Sequence, residues 1–311
     1  MTTGTVYAEF AARETRGISP LYERLSIGVS RDDEVLSLLD RLPPAKRQPN
    51  LLFGVVRFLG GPVDDPTVFR DYVVAHWPAI EAQMRIRATQ TNEAGRCAIL
   101  LPVLAALPQP LALLDVGASA GLCLYPDRYS YRYNGHRIGA GDPVLDCAAT
   151  GLALPAGLPE VVWRAGLDLN PLAITDPADL AWLEALIWPE HTHRRARLRA
   201  AAAIAAAEPP LLVRGDLVDD LPALAAQAPA EATLVVFHTS VLYQVPPARR
   251  EEFIRTVRAL PGHWIGNEDP DVLTCPTLPT PPDGALRNVL ALDGTPLAWT
   301  WPHGQAITWF G

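Results

Sequence analysis

The sequence predicts an α/β protein in which an all-helical N-terminal domain precedes a mostly parallel β-sheet. Apolar residues recur at helical spacing up to about residue 108. Beyond that point, short apolar runs of strand length alternate with helical segments, as parallel sheets with crossover helices require. The C-terminal stretch instead has two extended runs with no helix between them, which predicts a terminal antiparallel hairpin.

The helical domain is predicted to cover residues 1–108. Helical spacing is clearest in "VYAEFAARE" and "DDEVLSLLDRL", and Asp32 and Asp33 can cap the second of these. The proline-rich "PPAKRQPN" breaks the pattern before a longer helical run. The stretch "ALPQP" then ends the helical part, so we place the domain boundary near Pro108.

The α/β domain is predicted to cover residues 109–311. Its candidate strands are apolar enough to be buried on both faces, and they are "LALLDVG", "VVWRAGLDL", "PLLVRGD", "ATLVVFHT" and "HWIGNE". Asp293-Gly294 and His303-Gly304 are turn signals in the terminal hairpin. Residues 125–160 form an insertion that includes a second hairpin with its turn at Asn134-Gly135. The insertion either caps a pocket or is a structural flap.

Composition limits the partners. The 311 residues are 49% hydrophobic and carry a net charge of −8, which disfavours nucleic acid binding. We expect no membrane span, since no apolar run approaches ~18 residues. The N-terminal stretch lacks a secretion signal pattern. The scattered cysteines fit a reduced compartment, so we expect a cytoplasmic protein; they are Cys97, Cys123, Cys147 and Cys275.

One further stretch has an ordinary structural interpretation. The basic stretch "HTHRRARLR" is interpreted as a solvated helix face. Its histidines, His191 and His193, do not share a helix face and have no evident third ligand, so no metal site is expected.

A loop of small residues follows the first predicted strand in "LLDVGASAGL". The strand ends on Asp115, and Gly117, Ser119 and Gly121 follow it. Glycine adopts positive φ and lets a ligand approach the backbone closely, and ligands of parallel sheets bind beyond the strands' carboxyl ends. A tight turn without a ligand remains the alternative.

Acids also end the next two strands. Asp168 ends the second, and Asp216 ends the third, followed by Leu217. An acid after the second strand can accept hydrogen bonds from ribose hydroxyls, whereas an acid taken singly is more often a turn or N-cap residue. Three such acids in succession favour a nucleoside site. A dinucleotide site would need an acid about 20 residues after the glycines, and Asp168 lies far beyond that distance.

The glycine turn resembles the S-adenosylmethionine site of the Rossmann-like class I methyltransferases, with Ser119 in place of one glycine. The whole chain resembles domain of unknown function 2332, a bacterial family with a methyltransferase-like architecture. Seven stretches carry this resemblance: "RATQTNEAGRCAILLP", "LLDVGASAGL", "DRYSYRYNG", "WRAGLDLNPL", "VRGDL", "TLVVFHTSVLYQV" and "WIGNEDP". A methyltransferase usually continues into a full helix after this turn, but here only "LCLY" precedes the insertion.

The resemblance implies S-adenosylmethionine as cofactor. Asp115, Gly117, Ser119 and Gly121 would hold its methionine end, and Asp168 would hold the ribose. Asp216 and Leu217 would lie at the adenine. The resemblance therefore predicts a methyltransferase acting on a small or medium metabolite.

Further side chains are candidates for substrate chemistry. His238 and Tyr243 follow the fourth strand, where His238 can accept a proton and Tyr243 can orient a substrate. Thr89, Glu93 and Arg96 are predicted to share a helix face. Arg96 is a candidate for the cofactor carboxylate, or for an ordinary surface pair with Glu93.

The candidate substrate-binding residues are Gln90, Glu93 and Glu268, the last of these at the end of the fifth strand. Two other functions stay open. One is a non-catalytic sensor or scaffold that binds S-adenosylmethionine or another nucleoside. The other is a nicotinamide oxidoreductase, which the distance to Asp168 and the terminal hairpin disfavour.

Overall fold

The computed structural model describes residues 1–273, 278–282 and 287–311, and it divides into two compact units. The first unit contains Met1–Thr91 and Thr175–Ala196. The second contains Asn92–Ile174 and Arg197–Gly311. Residues 92–108 thus belong to the second unit, whereas the sequence analysis places a domain boundary near Pro108.

The first unit is helical. Its helices are α1 (Thr3–Phe10), α2 (Pro20–Ser30), α3 (Asp33–Leu39), α4 (Pro49–Phe58), α5 (Pro66–Ala75) and α6 (Trp77–Ile86). Asp32 caps α3 as predicted, because its carboxylate accepts the backbone N–H groups of Glu34 and Val35. Phe53 of α4 lies at the centre of the core, with ring centroids 4.8 Å from Tyr22 and 5.5 Å from Phe69.

The second unit contains one mixed sheet. After helix α7 (Cys97–Leu104), the chain forms β1 (Leu111–Val116), β2 (Ser130–Tyr133), β3 (His136–Ile138), β4 (Val144–Thr150) and β5 (Val161–Asp168). Helix α8 (Pro177–Leu186) lies in the first unit, and α9 (Thr192–Ala207) continues into the second. The remaining elements are β6 (Leu211–Arg214), α10 (Leu221–Ala225), β7 (Thr233–Thr239), α11 (Pro247–Ala259), β8 (His263–Glu268), β9 (Asn288–Leu292), β10 (Thr295–Thr300) and β11 (Ala306–Trp309).

The five predicted apolar strands are confirmed as β1, β5, β6, β7 and β8. They are adjacent and parallel, in the order β6-β5-β1-β7-β8. The terminal hairpin is also confirmed, although it has three strands where the sequence indicates two extended runs. Strands β9, β10 and β11 are antiparallel neighbours that continue the sheet from β8.

The insertion extends the same sheet. Its hairpin β2–β3 turns at Asn134 and Gly135, both at positive φ as this turn requires. Strand β4 then pairs in parallel with both β2 and β11, which gives the order β3-β2-β4-β11-β10-β9 on this side. The insertion therefore has a structural role at the sheet edge.

Alternation along the strands separates the central side chains onto two faces. Val116, Val236 and Trp264 lie in the apolar core with Phe253 of α11, on what we call the α11 face. Residues of opposite parity point the other way. Thr239 is among them, and it accepts a hydrogen bond from Arg96 just before α7. We call this side the α7 face.

Among the described residues, none of the helices is both long enough and apolar enough to cross a membrane.

A buried ion pair holds the segment after the first strand. Arg164 of β5 donates two hydrogen bonds to Asp127, at 2.8 and 2.7 Å, and a third to the carbonyl of Leu124. Both partners are nearly buried. Removing one partner of such a pair leaves the other charge buried and unpaired.

We therefore expect Arg164→Met to lower the free energy of unfolding by about 3–5 kcal/mol, measured from urea denaturation midpoints. The matched control is Arg132→Met, because Arg132 makes a similar two-bond pair with Asp146 on the exposed side of β2. The control should shift the midpoint little. Equal shifts for the two variants would contradict the importance of the buried pair.

Candidate functional site

The loop after β1, residues 117–121, is the centre of the candidate site, and we call it the glycine loop. Gly117, Ser119 and Gly121 all have positive φ, at 77°, 53° and 72°. The backbone N–H of Gly117 donates to the carbonyl of Leu167, which ties the loop to β5. A single 3-10 turn, Leu122–Leu124, follows, so no full helix starts here.

Two polar side chains hold the glycine loop from either side. The Asp168 carboxylate accepts the N–H of Ser119 at 2.8 Å and that of Asn170 at 2.7 Å. Asn92 donates to the carbonyl of Ala118 at 2.8 Å and accepts the N–H of Leu122 at 3.1 Å. Asp168 therefore positions the loop, and each carboxylate oxygen retains a lone pair for a further donor. Sequence reasoning missed Asn92, although it lies in the quoted stretch "RATQTNEAGRCAILLP".

The small residues also serve packing. A Cβ on Gly117 would lie 2.5 Å from the side chain of Val241, in the segment after β7. A Cβ on Gly166 of β5 would lie 2.5 Å from Ala118. Close packing against Val241 and β5 thus accounts for part of the glycine pattern, as the tight-turn alternative expects.

Asp115 is a buried carboxyl group on the α7 face. It is 5% exposed, and no residue in the described part of the chain forms a hydrogen bond with its side chain. Burial raises the pKa of Asp115 well above its usual value, electrostatic interactions with Cys123 and Asp168 raise it further, and Arg96 lowers it. Such a group favours a hydrogen-bonding or cationic partner.

Arg96 is buried next to Asp115 and bridges two elements. Its Nη1 donates to the carbonyl and hydroxyl oxygens of Thr239, and its Nε donates to the carbonyl of Pro302. Within the described ranges, no hydrogen bond is formed by its Nη2. That nitrogen therefore has donors left for an anion.

The prediction that Thr89, Glu93 and Arg96 share a helix face is wrong. Residues 87–93 are not helical, and a 3-10 turn, Ala94–Arg96, leads into α7. The reason is that the Glu93 side chain accepts the N–H of Gly95 and so begins the turn, leaving Thr89 before it.

Glu93 also does not form a surface pair. It is buried, and its carboxylate accepts a 2.7 Å hydrogen bond from Arg197, a residue that sequence reasoning missed. A separation of 104 residues gives no local signal for this pair.

His238 is fully buried on the α11 face, and both ring nitrogens have partners. Trp264 Nε1–H donates to His238 Nε2 at 2.9 Å, so Nδ1 carries the ring proton and donates to Glu268 Oε1 at 2.8 Å. The same Glu268 oxygen accepts the backbone N–H of Val241 at 2.7 Å. In this arrangement His238 positions Glu268 and the segment after β7. Sequence reasoning missed Trp264.

The remaining predicted residues lie in different surroundings. Asp216 accepts hydrogen bonds from the N–H groups of Val218 and Asp219 and from Arg249. Burial alone would raise the pKa of Asp216, but these bonds lower it overall. Leu217 packs at the edge of the α11-face core. Tyr243 is 59% exposed.

Gln90 belongs to the first unit, so its role in substrate binding stays a prediction. Cys97, Cys123 and Cys147 are free, buried thiols, and Cys275 lies outside the described residues. In the part of the chain that the structure describes, no three His, Cys, Asp or Glu side chains are grouped to hold a metal ion.

The raised pKa of Asp115 predicts a pH-dependent stability. A group whose pKa is higher in the folded state stabilises the fold at low pH, and this contribution is lost as the pH rises towards the folded-state pKa. We expect the melting temperature of Asp115→Asn, minus that of the wild type, to increase as the pH rises above about 4. Thermal unfolding in a buffer series measures this difference. A difference that does not change with pH would contradict the buried, unpaired state of Asp115.

Comparison with known proteins identifies a family. No curated protein matches the chain. No solved structure matches it either. A family model described as "Uncharacterized protein conserved in bacteria (DUF2332)" matches residues 5–309, which is nearly the whole sequence. The chain therefore belongs to the DUF2332 family.

Proposed function

We propose that the second unit binds S-adenosylmethionine and transfers its methyl group to a small or medium metabolite. The observation that carries this proposal is the set of acids at the carboxyl ends of three adjacent parallel strands. Asp115 is the last residue but one of β1, Asp168 ends β5, and Asp216 lies two residues after the end of β6. The order β6-β5-β1-β7-β8, which is 3-2-1-4-5 among the parallel strands, supports a Rossmann-like, methyltransferase-type sheet.

Unpaired polar groups on the α7 face support the fit of such a ligand. Ser119 Oγ and Asn267 Nδ2 are buried and, among the described residues, have no hydrogen-bond partner. The Asp115 carboxyl also has no hydrogen-bond partner among these residues, although it keeps 5% of its surface exposed. Buried polar groups are rarely left unpaired, because each costs about 1–3 kcal/mol. A ligand with both donors and acceptors would satisfy all three.

Each part of the cofactor has a candidate partner. Asp168 retains acceptor capacity for ribose hydroxyls, and Asp216 and Leu217 would lie at the adenine. Arg96 Nη2 would take the carboxylate of the methionine end, and Asp115 its ammonium group. Val241 presently fills the space beside Gly117, so a close approach of the ligand to that glycine requires Val241 to move.

S-adenosylmethionine supplies an electrophilic methyl group when bound. The chain then has to align the acceptor atom and exclude water, and alignment alone provides a large rate effect. Proton removal by His238 remains a prediction, and it requires His238 to break one of its two hydrogen bonds. Orientation of the substrate by Tyr243 also remains a prediction.

A second candidate is a sensor or scaffold that binds the cofactor without turnover. The geometry of His238 favours this second candidate. The imidazole is fully buried and both of its nitrogens form hydrogen bonds, which is typical of a structural histidine and leaves no nitrogen available for a substrate proton. The two candidates share the same ligand and differ only in methyl transfer.

We expect titration calorimetry to show binding of S-adenosylmethionine and S-adenosylhomocysteine. Asp168→Asn should weaken binding at least roughly 10-fold, because a charge-assisted hydrogen bond contributes about 1.5–3 kcal/mol. Asp146→Asn, on the exposed side of β4, is the matched control and should bind like the wild type. No binding of either ligand at about 1 mM, a free energy of about −4 kcal/mol, would overturn the proposal.

Turnover separates the two candidates. Incubation of the protein with methyl-labelled S-adenosylmethionine and a small-metabolite extract should transfer label to an acceptor below the size of a protein. Binding without any transfer would favour the sensor.

A further inference from the structure

Glu268 has one carboxylate oxygen that nothing in the described structure satisfies. The side chain is fully buried at the carboxyl end of β8. Its Oε1 accepts two hydrogen bonds, from His238 and from the backbone of Val241. Its Oε2 is buried and, in the ranges that the structure describes, has no hydrogen-bond partner. A buried carboxylate oxygen in this state needs a donor.

His238 does not supply a compensating positive charge. Because Trp264 donates to His238 Nε2, that nitrogen must hold a lone pair, and the imidazole is neutral. The ring therefore gives Glu268 a hydrogen bond and leaves its charge uncompensated. Across residues 1–273, 278–282 and 287–311, no Lys or Arg forms an ion pair with Glu268. Buried charges are normally paired, so an ionised Glu268 requires a cationic partner from outside the described residues.

Contacts connect Glu268 to the glycine loop. Glu268 Oε1 holds the backbone N–H of Val241, and the Val241 side chain lies against Gly117. The unpaired oxygen therefore belongs to a residue two contacts away from the loop assigned to the cofactor. That position suits a group of the methyl acceptor.

We propose that Glu268 Oε2 binds a protonated amine of the methyl acceptor, and that the substrate is a small cationic amine. The proposal rests on the function proposed above. It names the substrate class of that site, and it adds a reason for the Trp264–His238–Glu268 chain of hydrogen bonds. That chain holds the carboxylate in one orientation and keeps its charge available.

The proposed step balances with S-adenosylmethionine as the methyl donor and Glu268 as the proton acceptor. The ammonium group transfers one proton to Glu268 Oε2, which frees the nitrogen lone pair. A nitrogen–carbon bond then forms to the methyl group as its carbon–sulfur bond breaks, and the bond's electron pair stays on sulfur. The product nitrogen carries the positive charge, and Glu268 returns its proton to water after release.

The variant Glu268→Gln isolates the unpaired oxygen. Glutamine keeps an oxygen at the Oε1 position for His238 and Val241, and it replaces only Oε2 with an NH2 donor. Glu251→Gln is the control, since Glu251 is exposed on the same unit's α11. Thermal unfolding of the variants verifies that each is folded.

The experiment measures binding of ethylamine, 1,4-diaminobutane and phenethylamine by calorimetry, with S-adenosylhomocysteine present and absent. The matched neutral probes are ethanol, 1,4-butanediol and 2-phenylethanol. We expect at least one amine to bind at least roughly 10-fold more tightly than its alcohol, which corresponds to about 1.4 kcal/mol. This preference should disappear in Glu268→Gln and persist in Glu251→Gln.

Three results would overturn the proposal: no binding of any amine, equal binding of amines and alcohols, or wild-type amine binding by a folded Glu268→Gln. The last would indicate that Oε2 simply carries a proton. Selectivity of the wild type tests the proposal even if the variant does not fold. If S-adenosylmethionine binds and the amines do not, only this inference fails; if S-adenosylmethionine does not bind, the proposed function fails.

Discussion

The hydrogen bond from the Ser119 backbone to Asp168 fixes the end of β5 to the loop that follows β1. Ser119 has positive φ without being a glycine, so this contact holds the chain in a conformation that most side chains disfavour. The packing of the Val241 side chain against Gly117 depends on the position of this loop. Asp168 can serve a ligand only in addition to this structural role, because its carboxylate already accepts two backbone N–H groups.

The alternation of side chains along the strands sets a second constraint. Asp115 and Thr239 face α7, whereas His238 and Trp264 face α11. A proton acceptor at His238 would therefore act from the side of the sheet opposite to Asp115. Glu268 lies on the same side as His238 but reaches the segment after β7 through Val241, and that segment touches the glycine loop. The carboxylate of Glu268 is thus better connected to the candidate site than the imidazole that the sequence suggests.

Local patterns predict the strands, because short apolar runs suit positions between neighbouring strands, and the central β1 is buried along its whole length. The predicted burial on both faces fails for β6, which lies at the edge of the sheet and has no buried residue. The turns at Asn134-Gly135 and Asp293-Gly294 follow from residues that accept positive φ. The contacts of the candidate site were less predictable. Glu93 pairs with Arg197, and Arg96 pairs with Thr239, across more than 100 residues of sequence. The residues near Glu93 and Arg96 therefore do not indicate either partner. The helical spacing of Thr89, Glu93 and Arg96 also gives a wrong prediction, because Glu93 caps the turn and the turn begins only after it.

Packing explains the glycines of the glycine loop, but it does not explain the polar groups around them. Contacts with Val241 and Ala118 explain why Gly117 and Gly166 lack side chains, without any ligand. They do not explain the polar groups nearby. In the described residues, Asp115, Ser119 Oγ and Asn267 Nδ2 are buried without partners, although apolar residues of similar size would pack there at lower cost. Several buried polar groups without partners near the carboxyl ends of the strands of one sheet do not stabilise a fold. The unpaired polar atoms are therefore what indicates a ligand, and the glycines only allow a ligand to approach the backbone.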